Sequence, residues 1–395
     1  MTVAVLSYDG RHLLEIILPS LARQRFRDFE VVVVDNGSSD DTVAWLAEHW
    51  PEAEVVKLER NIGVTAALNV CARAGRGRLV GLFNNDLELE DDCVGELVAA
   101  LAAHPGAGWA AAKLRDFERR EVLDGAGDVF TWAATGGRRG HGERDIGQYD
   151  EPREIFGACG GAALYRRSVL ELVGGFDEDF FAFYEDVDWN LRAQLAGFSC
   201  RYVPSAVAYH MGSATIGRGL SDFTRYHLWR NTLWIIAKDL PAAALVRHAH
   251  QLILGQLMNL AVAVRDRKLD VWLRVWRDAL RGLPRALRQR RDVQARRRIS
   301  VATLERVVGP DGGPRDGPAR AAEPAAAGRD GDQAPVSVRL ARHDATAASI
   351  PGSSSTDGSN PTSSRRRRVS ATRRSGSPSR RGSAPRRRSS GCPLA

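Results

Sequence analysis

Three carboxylates fall within four residues at Tyr184-Glu185-Asp186-Val187-Asp188, just after Phe180 and Phe181. Bulky aromatics around carboxylates suit partial burial and a raised pKa, which a general base needs near neutral pH. On a helix, Glu185 and Asp188 share a face while Asp186 points elsewhere, so proton transfer and support can be divided among them. Arg192 stands four residues past Asp188, a spacing at which the two can pair. The same run also reads as an acidic helix start favoured by the helix dipole, and composition leaves both readings open.

Three further positions could take part. Asp86 closes Asn84-Asn85-Asp86 at the end of an apolar run, where a carboxylate beside a diphosphate can hold a hard divalent cation. An Asx turn is the equally ordinary alternative. Asp35 follows four valines and precedes Asn36-Gly37-Ser38, so it either accepts from a nucleoside or starts a turn. His210 ends the run Val203–Tyr209, and its imidazole would suit a divalent metal or a diphosphate oxygen if the fold carries it to Asp86.

The elements that must position these groups alternate along the first hundred residues. Val3–Ser7, Glu30–Asp35, Glu54–Lys57 and Leu79–Phe83 read as strands, and helical spacing appears at Leu13–Leu21, after Asp40-Asp41, and over 64–74. Repeated strand–helix units predict a parallel sheet covered by helices on both faces. Ligands in such sheets bind beyond the carboxyl ends of the strands. Those ends supply Ser7, Asp9, Asp35, Arg60, Asn61 and Asp86 as the expected nucleotide-binding residues. Residues 105–160 read as strands and loops around a cleft, and about 220–238 as a helix.

Charge divides the 395 residues into three segments. Residues 1–242 carry net −11, residues 243–308 net +10 and residues 309–395 net +9. The basic charge therefore lies outside the part that carries the chemistry, which argues against specific nucleic-acid binding despite a pI near 9.6. Within 243–308, Leu269, Trp272, Leu273, Trp276, Leu280, Leu283 and Leu287 form one helical face with arginines mostly elsewhere, the pattern of a helix that docks on an anionic membrane surface. Packing of that stripe on the catalytic domain or in a dimer is the rival expectation. Beyond 309 the chain is Arg, Ser, Pro, Gly and Ala with almost no aromatics, so it is expected to be disordered. The five scattered cysteines form no CxxC pair and suit a reducing compartment. No signal-peptide pattern precedes the first strand. The expected location is the cytoplasm, peripheral on the inner face of the plasma membrane.

Taken in order, Ser7-Tyr8-Asp9, VVVVDNGSSDDT (31–42), RNIGVTAALN (60–69), LFNNDLELEDD (82–92), GGFDEDFFAFYEDVDWNLRAQLAG (174–197) and VPSAVAYH (203–210) resemble the family 2 inverting glycosyltransferases. The likeness is strongest to the rhamnosyltransferase-like and galactofuranosyltransferase-like branch of bacterial cell-envelope synthesis and covers about residues 2–240. It implies an α/β GT-A fold, a Rossmann-like nucleotide-binding sheet merged with an acceptor half, over residues 1–242. The basic amphipathic helices (243–308) and the tail (309–395) would follow it.

The resemblance also assigns roles. It places Asp35 on the nucleoside and makes Asp86 the metal-binding member of a DxD motif that here reads Asn84-Asn85-Asp86. It makes Asp186 the catalytic base with Glu185 beside it, and His210 a metal or diphosphate ligand. Asp188, Arg192 and Trp189 would give acceptor or structural support. The implied cofactor is a divalent cation, Mg²⁺ or Mn²⁺. The implied donor is a nucleotide-diphosphate sugar, first deoxythymidine-diphosphate-L-rhamnose and next a uridine-diphosphate sugar. The implied acceptor is a glycan or polyprenyl-linked hydroxyl, attacked in a single inverting displacement through an oxocarbenium-like transition state. A nucleotidyltransferase on a related sheet is the alternative, but Ser7-Tyr8-Asp9-Gly10-Arg11 is a poor phosphate loop. A nucleic-acid-binding protein acting through the basic tail is the other alternative.

Overall fold

A computed structural model describes residues 1–159, 161–212 and 221–309. The expected tail, beyond Gly309, lies outside the described residues. The first half alternates as the apolar pattern predicts: β1 (Thr2–Ser7), α1 (Arg11–Ala22), β2 (Glu30–Asp35), α2 (Thr42–His49), β3 (Glu54–Lys57), α3 (Val64–Arg73) and β4 (Leu79–Asn84). Short strands then dominate: β5 (Leu87–Leu89), β6 (Ala107–Asp116) after α4 (Cys93–Ala103), β7 (Leu123–Gly125), β8 (Asp128–Phe130), β9 (Gly136–Arg138), β10 (Arg153–Ile155) and β11 (Ala162–Arg166). Helix α5 (Arg167–Val173), a 3₁₀ turn (Glu178–Phe180), α6 (Glu185–Leu195) and β12 (Ser199–His210) complete the sheet region. Five helices follow: α7 (Asp222–Lys238), α8 (Ala242–Arg247), α9 (Ala249–Arg265), α10 (Leu269–Ala295) and α11 (Val301–Leu304).

The sheet is mixed rather than wholly parallel. Its order is β10-β12-β6-β11-β4-β1-β2-β3, with β5 added to β12 and β7 to β6. Strands β4, β1, β2 and β3 run parallel, but β11 enters antiparallel between β4 and β6. Side chains alternate across it as strand geometry requires. Val3, Val5 and Val33 join α1, α2 and α4 on one face, while Ala4, Val32 and Val34 meet α3, α5 and α6 on the other.

A third core lies outside the sheet. Phe130 and Trp132 of the β8–β9 hairpin, Val187 and Leu191 of α6, Ile235 of α7, Leu252 of α9 and Val308 pack together. The boundary expected at 242 falls inside this core, since Leu240 and Ala244 both belong to it. Helix α10 lies along α7 through Val271, Val275, Ala279 and Ala286, all buried. Among the described residues no helix is long and apolar enough to cross a membrane.

Candidate active site

The carboxyl ends of β1, β2 and β4 and the loop after β3 are stitched to one another by their own polar side chains. Ser7 Oγ accepts from Asn85 Nδ2 at 3.0 Å, tying the loop after β4 to the end of β1. Asp9 is left-handed (φ 45°), and its Oδ1 accepts from the Ser39 N–H at 2.7 Å. That backbone N–H, chief among several donors, holds its carboxyl below the usual range. Asn36 Nδ2 donates to Asn61 Oδ1 at 3.2 Å, and Gly37 (φ +80°) runs so close to Arg60 that a Cβ would lie 2.3 Å from its carbonyl carbon. Arg60 and Asn61 consequently stand exposed at the rim.

Asp35 has no exposed surface, and both its oxygens accept from Ser38, one from the hydroxyl and one from the N–H at 3.2 Å. It builds the Asn36–Ser38 turn, one of the two roles the sequence leaves open for it. Arg11, the one cation in the first loop, is taken by Glu15 at 3.0 Å and by Asp41, so that loop offers no free positive charge to a phosphate.

The proximity that spacing could not establish, Asp86 to His210, comes from strand pairing. Strand β5 lies antiparallel to β12 with Leu87 opposite His210, and the Met211 N–H donates to the Asp86 carbonyl at 3.0 Å. His210 Nε2 then sits 3.3 Å from Asp86 Oδ1. Its Nδ1 lies 2.8 Å from Asp124, a carboxylate on β7 that also pairs with Arg138 of β9. Burial favours the neutral imidazole, but hydrogen bonds and charge from Asp124 and Asp86 outweigh it and raise His210 to about 9.

A second acidic group adjoins the first. Asp128 on β8 is buried, and burial together with the charge of Asp186 pushes it well above the usual carboxylate range. Arg138 offsets part of that. Burial and Asp186 likewise carry Glu185 up to about 8. Asp186 itself is half-buried at the first turn of α6, and its charge is felt by Asp128, Glu185, Cys159 and Tyr165. Asp124, Asp128 and Arg138 are the members that motif reading missed. The available signal was two carboxylates flanking Gly125-Ala126-Gly127, a bend rich enough in glycine to bring both toward one place.

The Glu185 shift has a measurable consequence. Its folded value, about 8, lies above the ordinary 4.5, so between those values the folded protein keeps a proton that the unfolded chain has released. The stability this contributes is complete below pH 4.5 and is lost as pH rises through about 8. Glu185→Gln removes the loss, and its stability relative to the parent is expected to grow from pH 5 to pH 9 in urea melts. A difference independent of pH would mean that Glu185 ionises normally in the folded state.

What holds Asp186 in place is a strained loop clamped from behind. Phe181, Phe183 and Tyr184 all take left-handed backbone angles (φ 64°, 65° and 64°), a conformation that costs about 1–3 kcal/mol at each non-glycine residue. Asn231 of α7 compensates, its Nδ2 donating to the carbonyls of Phe180, Ala182 and Phe183 at 3.2, 3.0 and 2.7 Å. Arg230 Nη2 adds bonds to the carbonyls of Asp179 and Phe180. The Phe181 ring closes against Gly63, where a Cβ would lie 2.7 Å away, so this loop abuts the one after β3.

Behind α6, Asp188 is completely buried between Arg192, at 2.8 Å, and Lys238. Burial opposes its ionisation, but the two cations prevail and bring it to about 2. Trp189 is equally buried, donating to the Gly174 carbonyl at 3.0 Å and meeting Trp109 edge-on. Asp188, Arg192 and Trp189 therefore support α6 from its buried side, with no surface on which an acceptor could lie against Asp188 or Trp189.

Known proteins share parts of this sequence and its fold. The sequence model described as Glycosyl transferase family 2 matches residues 2–174. An uncharacterized protein, y4gI, of Sinorhizobium fredii is 30% identical over 237 residues, 53% of this chain and 25% of that protein. An N-acetylglucosaminyl-diphospho-decaprenol L-rhamnosyltransferase of Mycobacterium tuberculosis is 28% identical over 256 residues, 57% of this chain and 80% of its own. The chain thus spans a quarter of the first relative's length and four fifths of the second's. Among solved structures, S. aureus TarS 1-349 in complex with UDP-GlcNAc superposes with a TM-score of 0.50 at 20% identity, over 74% of this chain and 87% of that one. That likeness is one of fold, and the mixed sheet with its flanking helices is a GT-A fold.

Proposed function

Since residues 2–174 belong to glycosyl transferase family 2, we propose that the protein transfers a sugar, with inversion, from a nucleotide-diphosphate donor to a hydroxyl of a glycan or lipid-linked acceptor in cell-envelope polysaccharide synthesis. The observation that carries this reading is the row Asp86–His210–Asp124 at the carboxyl edge of the sheet, with Asp186 electrostatically joined to it through Asp128. The nucleoside would lie on the rim made by Asp9, Arg60 and Asn61, with the buried Ser7 and Asp35 holding the loops beneath it.

Asp86 and His210 fit a divalent cation. Asp86 Oδ1 is buried and faces His210 Nε2 at 3.3 Å. Among the described residues no three such side chains gather closely enough to hold an ion alone, so diphosphate oxygens and water would complete the shell, as is usual for Mg²⁺. A bound cation would supply charge neutralisation on the leaving diphosphate. Asp124 fixes the orientation of His210, much as a second carboxylate orients a metal-bound histidine. Asp186 takes the proton of the acceptor hydroxyl as that oxygen attacks the anomeric carbon, and the nucleoside diphosphate departs. Glu185, raised to about 8, keeps its proton near neutral pH and spares Asp186 a further negative neighbour, and burial pushes Asp128 in the same direction.

The first donor to test is deoxythymidine-diphosphate-L-rhamnose; the name of the mycobacterial relative supports an L-rhamnosyl group and a polyprenyl-diphosphate-linked acceptor. Thermal shift and donor hydrolysis should be measured across nucleotide sugars with Mg²⁺, Mn²⁺ or chelator. A response to thymidine- or uridine-diphosphate sugars is expected; silence toward every nucleotide sugar would overturn the reading. Replacing Asp86 with Ala is expected to erase the cation-dependent part of donor affinity in calorimetry. An unchanged response to Mn²⁺ would place any ion elsewhere.

A further inference from the structure

Helices α9 and α10 each turn an apolar face outward that nothing among the described residues packs against. From Gln251 to Val264, α9 carries no charged side chain. Its inner face, Leu252, Gly255 and Ala263, is packed, whereas Ile253, Leu254, Leu257, Met258 and Val264 are 55–60% exposed. Helix α10 has three faces. Val271, Val275, Ala279 and Ala286 pack inward on α7, while Leu269, Leu273, Leu280 and Leu287 are 44–61% exposed. At about 100° per residue these four leucines fall in a stripe roughly 40° wide, with Arg274, Arg277, Arg281 and Arg288 in the next arc. Asp278, bonded to Arg277 and Arg281, offsets only part of that charge. Trp272 and Trp276, 5.8 Å apart, flank the leucines on the other side.

We propose that these two outer faces form a docking surface for an anionic lipid bilayer. Single exposed leucines need no explanation, but nine large apolar side chains on two successive helices do. The occupant is chosen by charge. An apolar stripe bordered by arginines complements an interface in which acyl chains lie beneath anionic headgroups. A second copy of this chain, meeting the same patch about a two-fold axis, would set that arginine arc against its own image. At 17 residues α9 is too short to span a bilayer and would lie in its plane. The inner side of α9 touches the site's own scaffold: a Cβ on Gly255 would lie 2.1 Å from the Ala133 carbonyl, at the tip of the hairpin whose strands carry Asp128 and Arg138. One helix thickness, about 10 Å, thus separates the docking face from that hairpin. The proposal deepens the reading of a membrane-borne acceptor, but it stands on the surface and not on the sugar chemistry.

Flotation of the full chain with phosphatidylcholine vesicles, without and with about 30% phosphatidylglycerol, tests it. Binding is expected to rise with the anionic lipid and fall with salt. A Leu257→Asp/Leu273→Asp variant, altered only at exposed positions, is expected to lose about tenfold or more of that binding while its melting temperature and donor hydrolysis stay at parental values. Parental flotation by the variant would overturn the proposal, since the basic tail alone would then account for binding. So would failure of the parent to float at low salt, or a shift of the variant from dimer to monomer in sedimentation. Loss of hydrolysis in the parent with flotation intact would sink the transferase reading and leave the docking surface standing.

Discussion

An Asp186→Asn enzyme is expected to bind donor as the parent does and to transfer about 10²–10⁴-fold more slowly, the usual cost of removing a general base. The substitution keeps the side chain's shape and removes its ability to take a proton. It also removes a negative charge that raises Asp128 and Glu185, so both should ionise more easily in the variant. Two measurements separate the base role from a structural one. Donor affinity by calorimetry should be unchanged, and the rate should fall without a matching fall in melting temperature. Turnover near the parental rate would remove Asp186 from the mechanism.

Asn231→Ala should be the most damaging change away from the reacting groups. It deprives three loop carbonyls of their donor. A buried polar group left without a partner costs about 1–3 kcal/mol, and Arg230 continues to serve only one of the three, that of Phe180. A loss of about 3 kcal/mol in stability is therefore expected, with transfer reduced more than donor binding because the loop places Asp186. Asn231→Asp keeps the shape but aims a carboxylate at the same carbonyls, and should be no better. Melting curves and single-turnover rates decide the matter: an Asn231→Ala protein within about 0.5 kcal/mol of the parent, at full rate, would show that the left-handed residues hold themselves.

The contrast between Asp35 and Asp124 shows what the sequence could convey. The valine run before Asp35 and the turn residues after it fixed a strand and its end, and local chemistry read correctly gave the turn. The carboxylate's direction, inward to Ser38, depends on a loop conformation that no periodicity encodes. Asp124 and Asp128 escaped because they sit on strands of three residues each, too short for alternation to show, and acquire meaning only when β12 enters the sheet beside β6. His210 was legible as a candidate but not as a neighbour of Asp86, since that contact is made by the register of β5 on β12. In α10 the leucine stripe was read correctly as one face. The smaller residues between, Val271, Val275 and Ala279, form the packed face, and Trp234 of α7 needs that small surface, donating to the Ala279 carbonyl at 3.2 Å and lying against Gly282.

The Asn231 clamp also sets an order on biosynthesis. A nascent chain released or stalled at Leu220 already contains Asp86, Asp124, Asp186 and His210, the residues proposed for the chemistry, yet lacks Asn231, which bonds the carbonyls of Phe180, Ala182 and Phe183. The family match ends earlier still, at residue 174, before the loop, before β12 and before α7. The segment matched by the family model is thus not expected to be active by itself. A truncation that spares every reactive side chain but stops short of α7 should yield an inert and protease-sensitive fragment, and the enzyme would become competent only once the ribosome has delivered a helix that performs no chemistry.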